Sequence, residues 1–340
     1  MAFACCYVLF LFLIIARLCN ATDYNILDFA MKRKHELWMA EHGRVYKDEV
    51  EKAARFEIFK DNVKYIEEFN NGGVYNYTLG VNEFADLTHE EFTETFISGF
   101  NEDSFRSSEY NTTISTEPQI SSVPSSVDWR AEGAVTAVKN QGSKCRSCWA
   151  FATAAAVESL HKIKNGVLYD LSQQQLVDCA WKTLGCGGGW PRDSYSYIKD
   201  NGGLTTAANY PYNEVDNPCD VMKAKEIVAN ISDFVSVTPK TEAALMEAVA
   251  KQPVTVVIEA ESKTFMFYKS GVYKGPCGTD LNHVVVAVGY GQVHQSSKYW
   301  ILKNSWGPSW GEGGYMRLEK DVGLPKGLCV VAALPTYPIL

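Results

Sequence analysis

Two kinds of hydrophobic pattern divide the second half of the chain. Apolar residues first recur at helical spacing, which predicts three helices: Trp149–Ile163, Ser172–Val177 and Trp190–Lys199. Short, nearly continuous apolar runs follow and predict buried strands: Val254–Ala260, His283–Gly289, Tyr299–Asn304 and Gly314–Leu318. Helices that precede strands in this way favour an α+β fold with two subdomains. The cleft between the two halves would then be the natural place for an active site.

An earlier, charged part of the chain, from about residue 24 to residue 100, carries its own helical pattern. Six of its residues are spaced three or four positions apart and therefore lie on one face of a helix: Glu51, Arg55, Phe59, Asn62, Ile66 and Asn70. A stretch rich in Ser, Thr, Asn and Glu follows from Asn101 to Ser122 and is typical of an exposed linker open to proteolysis.

The chain begins with an apolar segment over residues 4–19. It is shorter than a membrane span and is typical of the core of a signal peptide, with cleavage predicted near residues 19–22. No second apolar run of spanning length follows in the sequence. We therefore expect a soluble protein of the secretory pathway that does not act at a membrane.

Composition narrows the classes of function. The chain has 340 residues, of which 46% are hydrophobic, enough for two domains or one large domain with a sizeable core. The net charge is −8 and no cluster of Lys and Arg occurs, which argues against nucleic acid as a partner.

Ten cysteines are present, and the first three fall in the predicted signal peptide. The remaining seven are an odd number, so at least one thiol stays outside disulfides in an oxidising compartment, and Cys148 is the candidate. Cys145 and Cys148 also form a CxxC pair, which would suit zinc or redox chemistry. Neither a second ligand pair nor an early βαβ pattern accompanies it, so we expect no metal and no cofactor.

Four residues have the side chains that acyl transfer through a cysteine needs. Cys148 opens a predicted helix, whose N-terminal dipole favours the thiolate. His283 opens a buried strand and would be the general base. Asn304 would accept the imidazole N–H and orient the ring. Gln141 would donate its side-chain amide, together with the Cys148 backbone N–H, to the developing oxyanion.

The other histidines fit the role of base less well. His161 lies on the same predicted helix as Cys148, roughly 20 Å further along it. His294 is in a polar stretch that predicts a loop. The remaining three precede the predicted mature region: His35, His42 and His89. A lone buried His283 would normally be a core residue, but Cys148 and Asn304 in the expected order favour catalysis.

Several motifs resemble those of the papain-type cysteine proteases. The segment Asn140–Phe151 reads NQGSKCRSCWAF, Gly185–Gly189 reads GCGGG, and Asn304–Gly307 reads NSWG. The six residues on the predicted helix face match the ERFNIN signature of the family's pro-segments. Four more match its companion GxNxFxD motif: Gly80, Asn82, Phe84 and Asp86. Residues 123–130 are similar to a mature N-terminus of the papain and bromelain group.

The resemblance implies a papain-like α+β fold, with a helical half and an antiparallel, barrel-like sheet half, preceded by a helical pro-segment. It divides the chain into a signal peptide (1–21), an inhibitory propeptide (22–122) and a mature peptidase (123–340). The family's disulfides would fall on three pairs: Cys145–Cys186, Cys179–Cys219 and Cys277–Cys329.

The resemblance also implies the residues that bind substrate. The glycine-rich segment would contribute Gly188 and Gly189. The pocket for the second side chain before the cleaved bond would be lined by six apolar residues: Trp190, Pro191, Val257, Leu281, Val284 and Leu334. We therefore expect a preference for a hydrophobic side chain in that pocket.

Two departures from the family pattern lie beside Cys148. Gln141 stands seven positions before it, where the family has six, with the extra residue near Lys144. A displaced Gln141 would lower the rate by about 10²- to 10³-fold. Arg146 replaces a glycine of the family. We hypothesise that Arg146 borders the pocket next to the scissile bond, favours the thiolate and selects acidic side chains, unless it points into solvent.

The expected activity is therefore that of a cysteine endopeptidase, made as an autoinhibited zymogen and secreted or held in a vacuole or lysosome-like compartment. Its partners would be peptide and protein substrates, its own propeptide and cystatin-type inhibitors, and it would be a monomer. The alternative is a catalytically impaired storage or binding protein, which the extra residue and Arg146 would favour. In a third interpretation, the released pro-segment acts separately as an inhibitor.

Overall fold

The computed structural model describes residues 27–97, 123–238, 240–293 and 297–340. The predicted signal peptide, the predicted linker and His294 lie outside these residues. No helix in the described ranges is long and apolar enough to span a membrane. The chain forms two compact units, one of residues 27–65 and 85–87 and the other of the remaining described residues.

The first unit is built from two helices. Residues 27–42 form α1, and Glu49–Gly72 form α2, the helix that the six-residue pattern predicts. Both helices contribute to its core, where the buried side chains include Trp38, Phe56, Phe59 and Val63. Helix α2 continues beyond this unit into the second one.

Residues 85–87 are held in the first unit by polar contacts. The side-chain amide of Asn62 donates to the main-chain carbonyls of Ala85 and Leu87, each at 2.9 Å. The Arg55 guanidinium donates to the carbonyl of Asp86 at 3.0 Å. The buried Asp86 carboxylate accepts the Tyr46 hydroxyl at 2.9 Å and lies 3.5 Å from the Arg44 guanidinium. The two pro-segment motifs therefore meet here.

The second unit contains the other described helices: α3 (His89–Phe96), α4 (Cys148–Asn165), α5 (Gln173–Cys179), α6 (Pro191–Asn201), α7 (Val221–Ala224), α8 (Glu242–Val249) and α9 (Lys263–Met266). The three helices predicted after residue 140 are confirmed as α4, α5 and α6. Helix α4 ends at Gly166 because the chain takes a left-handed φ of 76° there, which glycine adopts without strain. Helix α6 begins at Pro191, whose ring fixes a helical φ.

The strands are β1 (Tyr77–Leu79), β2 (Val127–Asp128), β3 (Asp233–Ser236), β4 (Val254–Ile258), β5 (Tyr268–Tyr273), β6 (His283–Val293), β7 (Ser297–Lys303), β8 (Tyr315–Glu319) and β9 (Thr336–Ile339). They pair in the order β1-β5-β8-β7-β6-β4-β9-β3, and β2 pairs with β6. The predicted α+β, papain-like fold is confirmed. The expectation of an antiparallel, barrel-like half needs correction, because β5 and β8 are parallel and the described sheet is open between β1 and β3.

Helix α4 and strand β6 share one apolar core. The helix presents small residues such as Ala150, Ala154 and Ala156, which are fully buried and let the strand approach closely. Val284 and Val286 of β6 belong to the same cluster as these alanines and as Cys148. This packing fixes the start of the helix relative to the start of the strand.

Three disulfides join Cys145 to Cys186, Cys179 to Cys219 and Cys277 to Cys329, the pairing that the resemblance implies. Two of these bridges lie among the helices of the helical half, and the third lies in the sheet half. Among the described cysteines, Cys148 is the one outside these bridges.

Residues that precede the predicted mature region form part of the second unit. Strand β1 pairs antiparallel with β5, and the Asn82 side chain donates to the carbonyl of Met266 at 2.8 Å. Helix α3 starts with a capping box, in which the side chains of Thr88 and Glu91 each accept the other's backbone N–H. This cap stabilises a short helix whose buried face consists of Phe92 and Phe96.

Candidate active site

The candidate nucleophile, Cys148, is the first residue of α4 and is fully buried. The N-terminus of an 18-residue helix carries a partial positive charge, which lowers the free energy of a thiolate relative to a thiol. The predicted position of Cys148 at the start of a helix is therefore confirmed.

His283 and Asn304 are brought together from two neighbouring strands. His283 is the first residue of β6, Asn304 follows the last residue of β7, and these strands pair antiparallel. The imidazole Nε2 lies 2.8 Å from the Asn304 Oδ1. Since Oδ1 also accepts the backbone N–H of Ser305 at 2.8 Å, it is an acceptor, and Nε2 must carry the proton. The Nδ1 of a neutral His283 is then the basic nitrogen.

Burial controls the protonation of His283. The imidazole is fully buried and stacks on Trp306, with ring centroids 4.6 Å apart and the planes 29° apart. Burial lowers the pKa of His283 to about 4, although the hydrogen bond from Nε2 to Asn304 acts in the opposite direction. Within the described residues, Nδ1 has no hydrogen-bond partner. The free lone pair of this nitrogen is the one that a general base requires.

Gln141 is fixed from the sheet half by Ser305. Its backbone N–H donates to the Ser305 carbonyl at 2.8 Å, and its side-chain Oε1 accepts the Ser305 hydroxyl at 2.7 Å. The Gln141 Nε2 is buried and has no hydrogen-bond partner in the described part of the chain. A buried amide without a partner costs about 1–3 kcal/mol, so a donor held in this way is suited to a ligand oxygen. Ser305 was not predicted from the sequence, although it lies within the NSWG motif.

The extra residue near Lys144 is accommodated in the part of the chain that follows Gln141. Gly142 has a φ of 70°, and its N–H donates to the Asn140 side chain at 2.9 Å. The chain then bends through the exposed Ser143 and Lys144 before the backbone of Arg146 donates to the Cys186 carbonyl at 3.1 Å. The insertion therefore lies in the exposed bend and leaves the contacts of Gln141 with Ser305 in place.

A cavity of about 110 Å³ lies where the resemblance puts the pocket for the second side chain. Four of the predicted residues line it: Trp190, Pro191, Val257 and Leu334. Val284 instead borders a separate internal cavity, and Leu281 packs against the apolar core. Two basic residues that were not predicted from the sequence, Arg192 and Lys240, also line the pocket.

The glycines of the predicted substrate segment differ in what they do for the fold. Gly188 has a φ of 125°, a conformation that only glycine adopts readily. A Cβ on Gly189 would lie 2.8 Å from the ring of Trp149, so the chain could not pass this closely with a larger residue. Both glycines precede Trp190, the residue at the entry to α6 that lines the pocket.

A buried polar network lies behind Asn304. The Lys303 ammonium donates to the carbonyl and hydroxyl of Thr136, each at 2.9 Å, and burial lowers the pKa of Lys303 to about 8. The Glu158 carboxylate accepts the Thr136 hydroxyl at 2.6 Å and the Lys139 ammonium at 3.3 Å. A cavity of about 20 Å³, enough for one water molecule, is lined by these residues and by Asn304.

Comparison with known proteins agrees with this fold. The papain family cysteine protease profile matches residues 123–339, and the cathepsin propeptide inhibitor domain profile matches residues 35–92. The senescence-specific cysteine protease SAG39 of Oryza sativa subsp. indica is 48% identical over 320 residues, which cover 92% of this chain and 91% of that protein. Ananain of Ananas comosus is 48% identical over 317 residues, which cover 91% of this chain and 88% of ananain.

A solved structure of a recombinant stem bromelain precursor aligns with a TM-score of 0.85 and 46% identity, and covers 92% of this chain and 99% of its own. Fold, site and matches together define a cysteine protease that is made as a zymogen. The chain belongs to the papain family of cysteine proteases and carries the propeptide inhibitor domain of that family's proenzymes.

Proposed function

We propose that the mature enzyme is an endopeptidase that uses Cys148 as nucleophile and His283 as base. The observation that carries this proposal is the His283–Asn304 hydrogen bond, because it fixes the tautomer in which Nδ1 takes a proton. The Cys148 thiolate attacks the peptide carbonyl and forms a tetrahedral intermediate. The His283 imidazolium then gives its Nδ1 proton to the leaving amine, and water hydrolyses the thioester with the imidazole as base.

The oxyanion of each tetrahedral intermediate would be held by the Gln141 side-chain amide and the Cys148 backbone N–H. The buried Gln141 Nε2 supports this role, because Ser305 occupies the other end of the amide. The same contact argues against the impaired storage or binding protein, which the extra residue near Lys144 and Arg146 would favour. Loss of this donor would lower the rate by about 10²- to 10³-fold.

Processing would remove residues 1–21 as a signal peptide and 22–122 as an inhibitory propeptide, leaving 123–340 as the mature enzyme. The two profile matches, to residues 35–92 and 123–339, support this division. The enzyme would act in the secretory pathway, in a vacuole or lysosome-like compartment or outside the cell. We expect a monomer that binds peptide and protein substrates, its own propeptide and cystatin-type inhibitors.

The pocket lined by Trp190, Val257 and Leu334 would accept a hydrophobic side chain, since its walls are largely apolar. Arg146 would select acidic side chains next to the cleaved bond. Its half-buried position between Cys145 and the proposed nucleophile Cys148 supports this placement. Profiling a peptide library with the wild type and Arg146→Gly tests this proposal. If the wild type and Arg146→Gly preferred Asp and Glu next to the cleaved bond to the same extent, this result would contradict the role of Arg146.

Turnover of a peptide substrate after acid processing tests the proposed chemistry. We expect Cys148→Ala and His283→Ala each to abolish turnover, while Gln141→Ala retains a reduced rate. His161→Ala is a matched control, because this histidine is also buried but bonds to the Asn230 carbonyl away from the site. Turnover that survives Cys148→Ala would contradict the proposal.

A further inference from the structure

The hydroxyl of Tyr212 connects the two ends of the active-site loop, which comprises residues 141–147. It lies 2.7 Å from the main-chain carbonyl of Gln141 and 2.6 Å from the Ser147 hydroxyl. Gln141 and Ser147 are both fully buried, and Ser147 directly precedes Cys148. The aromatic ring packs edge-on against Phe151 in α4, with ring centroids 4.9 Å apart, which holds the hydroxyl in this position.

The direction of both hydrogen bonds follows from the chemistry of the groups. A carbonyl only accepts, so Tyr212 donates its proton to Gln141, and Ser147 must then donate to Tyr212. Burial raises the pKa of the Tyr212 hydroxyl, which therefore keeps its proton at any pH at which the enzyme would work. The link is therefore present throughout the working range.

The Ser147 hydroxyl bonds to Tyr212 and does not cap helix α4. It occupies the N-cap position of α4, where a serine side chain usually accepts a backbone N–H of the first turn. Here it makes no such cap bond, and its hydroxyl contacts Tyr212 and, at 3.4 Å, the Cys145 carbonyl. The Ser147 side chain thus takes up no N–H group of α4, and the Ala150 N–H donates instead to the Ser147 carbonyl at 2.8 Å.

We infer that Tyr212 is a positioning residue, which fixes the separation of the Gln141 amide and the Cys148 backbone N–H, the two proposed oxyanion donors. This inference rests on the proposed function. The loop between the donors contains one residue more than the family pattern and bends through the exposed Lys144, so its length alone would not hold the donors in register. The Tyr212 hydroxyl lies outside this loop and bonds to residues 141 and 147 at its two ends. These bonds restrict the freedom of the longer loop.

The variant Tyr212→Phe removes both hydrogen bonds and keeps the ring that packs on Phe151. We expect kcat for a peptide substrate to fall about 10-fold with KM within twofold, since a misplaced donor loses part of the 10²- to 10³-fold effect of its deletion. Alkylation of Cys148 by iodoacetamide forms no oxyanion, so its rate should be unchanged. Tyr210→Phe is the matched control, because that hydroxyl bonds to Asp178 and Asp220, and it should keep full kcat.

A double-mutant cycle shows whether Tyr212 acts through Gln141. In a Gln141→Ala background, Tyr212→Phe should lower kcat by less than twofold. Should Tyr212→Phe fail to fold, Ser147→Ala removes one of the two bonds and should lower kcat about threefold under the same tests. A full kcat for Tyr212→Phe, a loss additive with Gln141→Ala, or an equally slowed alkylation would overturn the inference alone. Absence of turnover in the wild type would overturn the proposed function as well.

Discussion

Trp306 stacks on the imidazole of His283, with ring centroids 4.6 Å apart. The same indole is contacted edge-on by three aromatic rings of the proposed pro-segment: Phe84 at 5.5 Å, Phe92 at 5.3 Å and Phe96 at 6.5 Å. One side chain thus contacts both the candidate base and the segment that precedes the mature region. Removal of the pro-segment would therefore expose Trp306 and change the surroundings of His283.

The first prediction concerns the attachment of the pro-segment. Phe92→Ala should weaken the packing of α3 by about 3–5 kcal/mol, because a fully buried ring is lost. Proenzyme carrying this variant should activate at least 10-fold faster at mildly acidic pH, measured as the initial rate of peptide turnover. Phe29→Ala, at a position 70% exposed, is the control and should activate like the wild type. Equal rates for Phe92→Ala and the wild type would show that this cluster does not restrain activation.

The second prediction concerns the orientation of the imidazole. Asn304→Ala removes the acceptor of the His283 Nε2 proton, and a hydrogen bond to a charged partner contributes about 1.5–3 kcal/mol. We expect kcat/KM to fall about 10- to 150-fold, with the pH profile shifted because the imidazolium loses this stabilisation. Asn140→Ala, in the neighbouring turn, controls for general effects on the loop. An unchanged rate and profile in Asn304→Ala would contradict the assigned geometry.

The third prediction follows from the lowered pKa of His283. Between pH 6.5 and pH 4 the unfolded chain binds a proton that the buried imidazole of the folded proenzyme excludes. Folding stability should therefore decrease as the pH falls through this window, by about 3 kcal/mol from this group. Urea denaturation of the proenzyme carrying Cys148→Ala, which lacks the proposed nucleophile, measures the effect. A His283→Asn companion variant should lack this component, and the same pH dependence in both would exclude His283 as its source.

The fourth prediction concerns the buried charges behind Asn304. Glu158 is 1% exposed and accepts hydrogen bonds from Thr136, Lys139 and the backbone of Leu171. Glu158→Gln should lower the free energy of unfolding by about 1.5–3 kcal/mol, because a charged acceptor of these hydrogen bonds is lost while Lys139 keeps its ion pair with Asp170. Thermal denaturation followed by circular dichroism measures the loss. Glu57→Gln, on the exposed face of α2, should change little, and a Tm equal to that of the wild type for Glu158→Gln would contradict this account.

Local patterns in the sequence predict most of the fold. Helix α4 could be located because its alanines favour a helix and Gly166 ends it, and β6 because its valines form one apolar run. Strand pairing was harder to predict from the sequence, since the parallel β5–β8 pair joins segments that are far apart in the chain. The single-residue insertion near Lys144 is visible in the sequence, but its accommodation depends on contacts that spacing does not encode.

The candidate site was predicted through residue types, and its supporting contacts were not. Cys148, His283, Asn304 and Gln141 occupy motifs, whereas Tyr212 gives no signal of its own in a sequence. Its hydroxyl meets Gln141 only because the chain folds back across 71 positions. Val284 was assigned to a substrate pocket on resemblance, and the side chain lines the internal cavity because strand β6 directs it towards α4. The role of Arg146 in selecting acidic side chains remains a prediction.

Cys148, activated by His283, is the proposed nucleophile. The most direct test is to treat the acid-processed enzyme with a thiol-directed epoxide and map the labelled residue by mass spectrometry. We expect one covalent adduct, on Cys148, formed in parallel with loss of peptide turnover and slowed at least 100-fold in His283→Ala. Labelling that is absent from Cys148, or equally fast in His283→Ala, would contradict it.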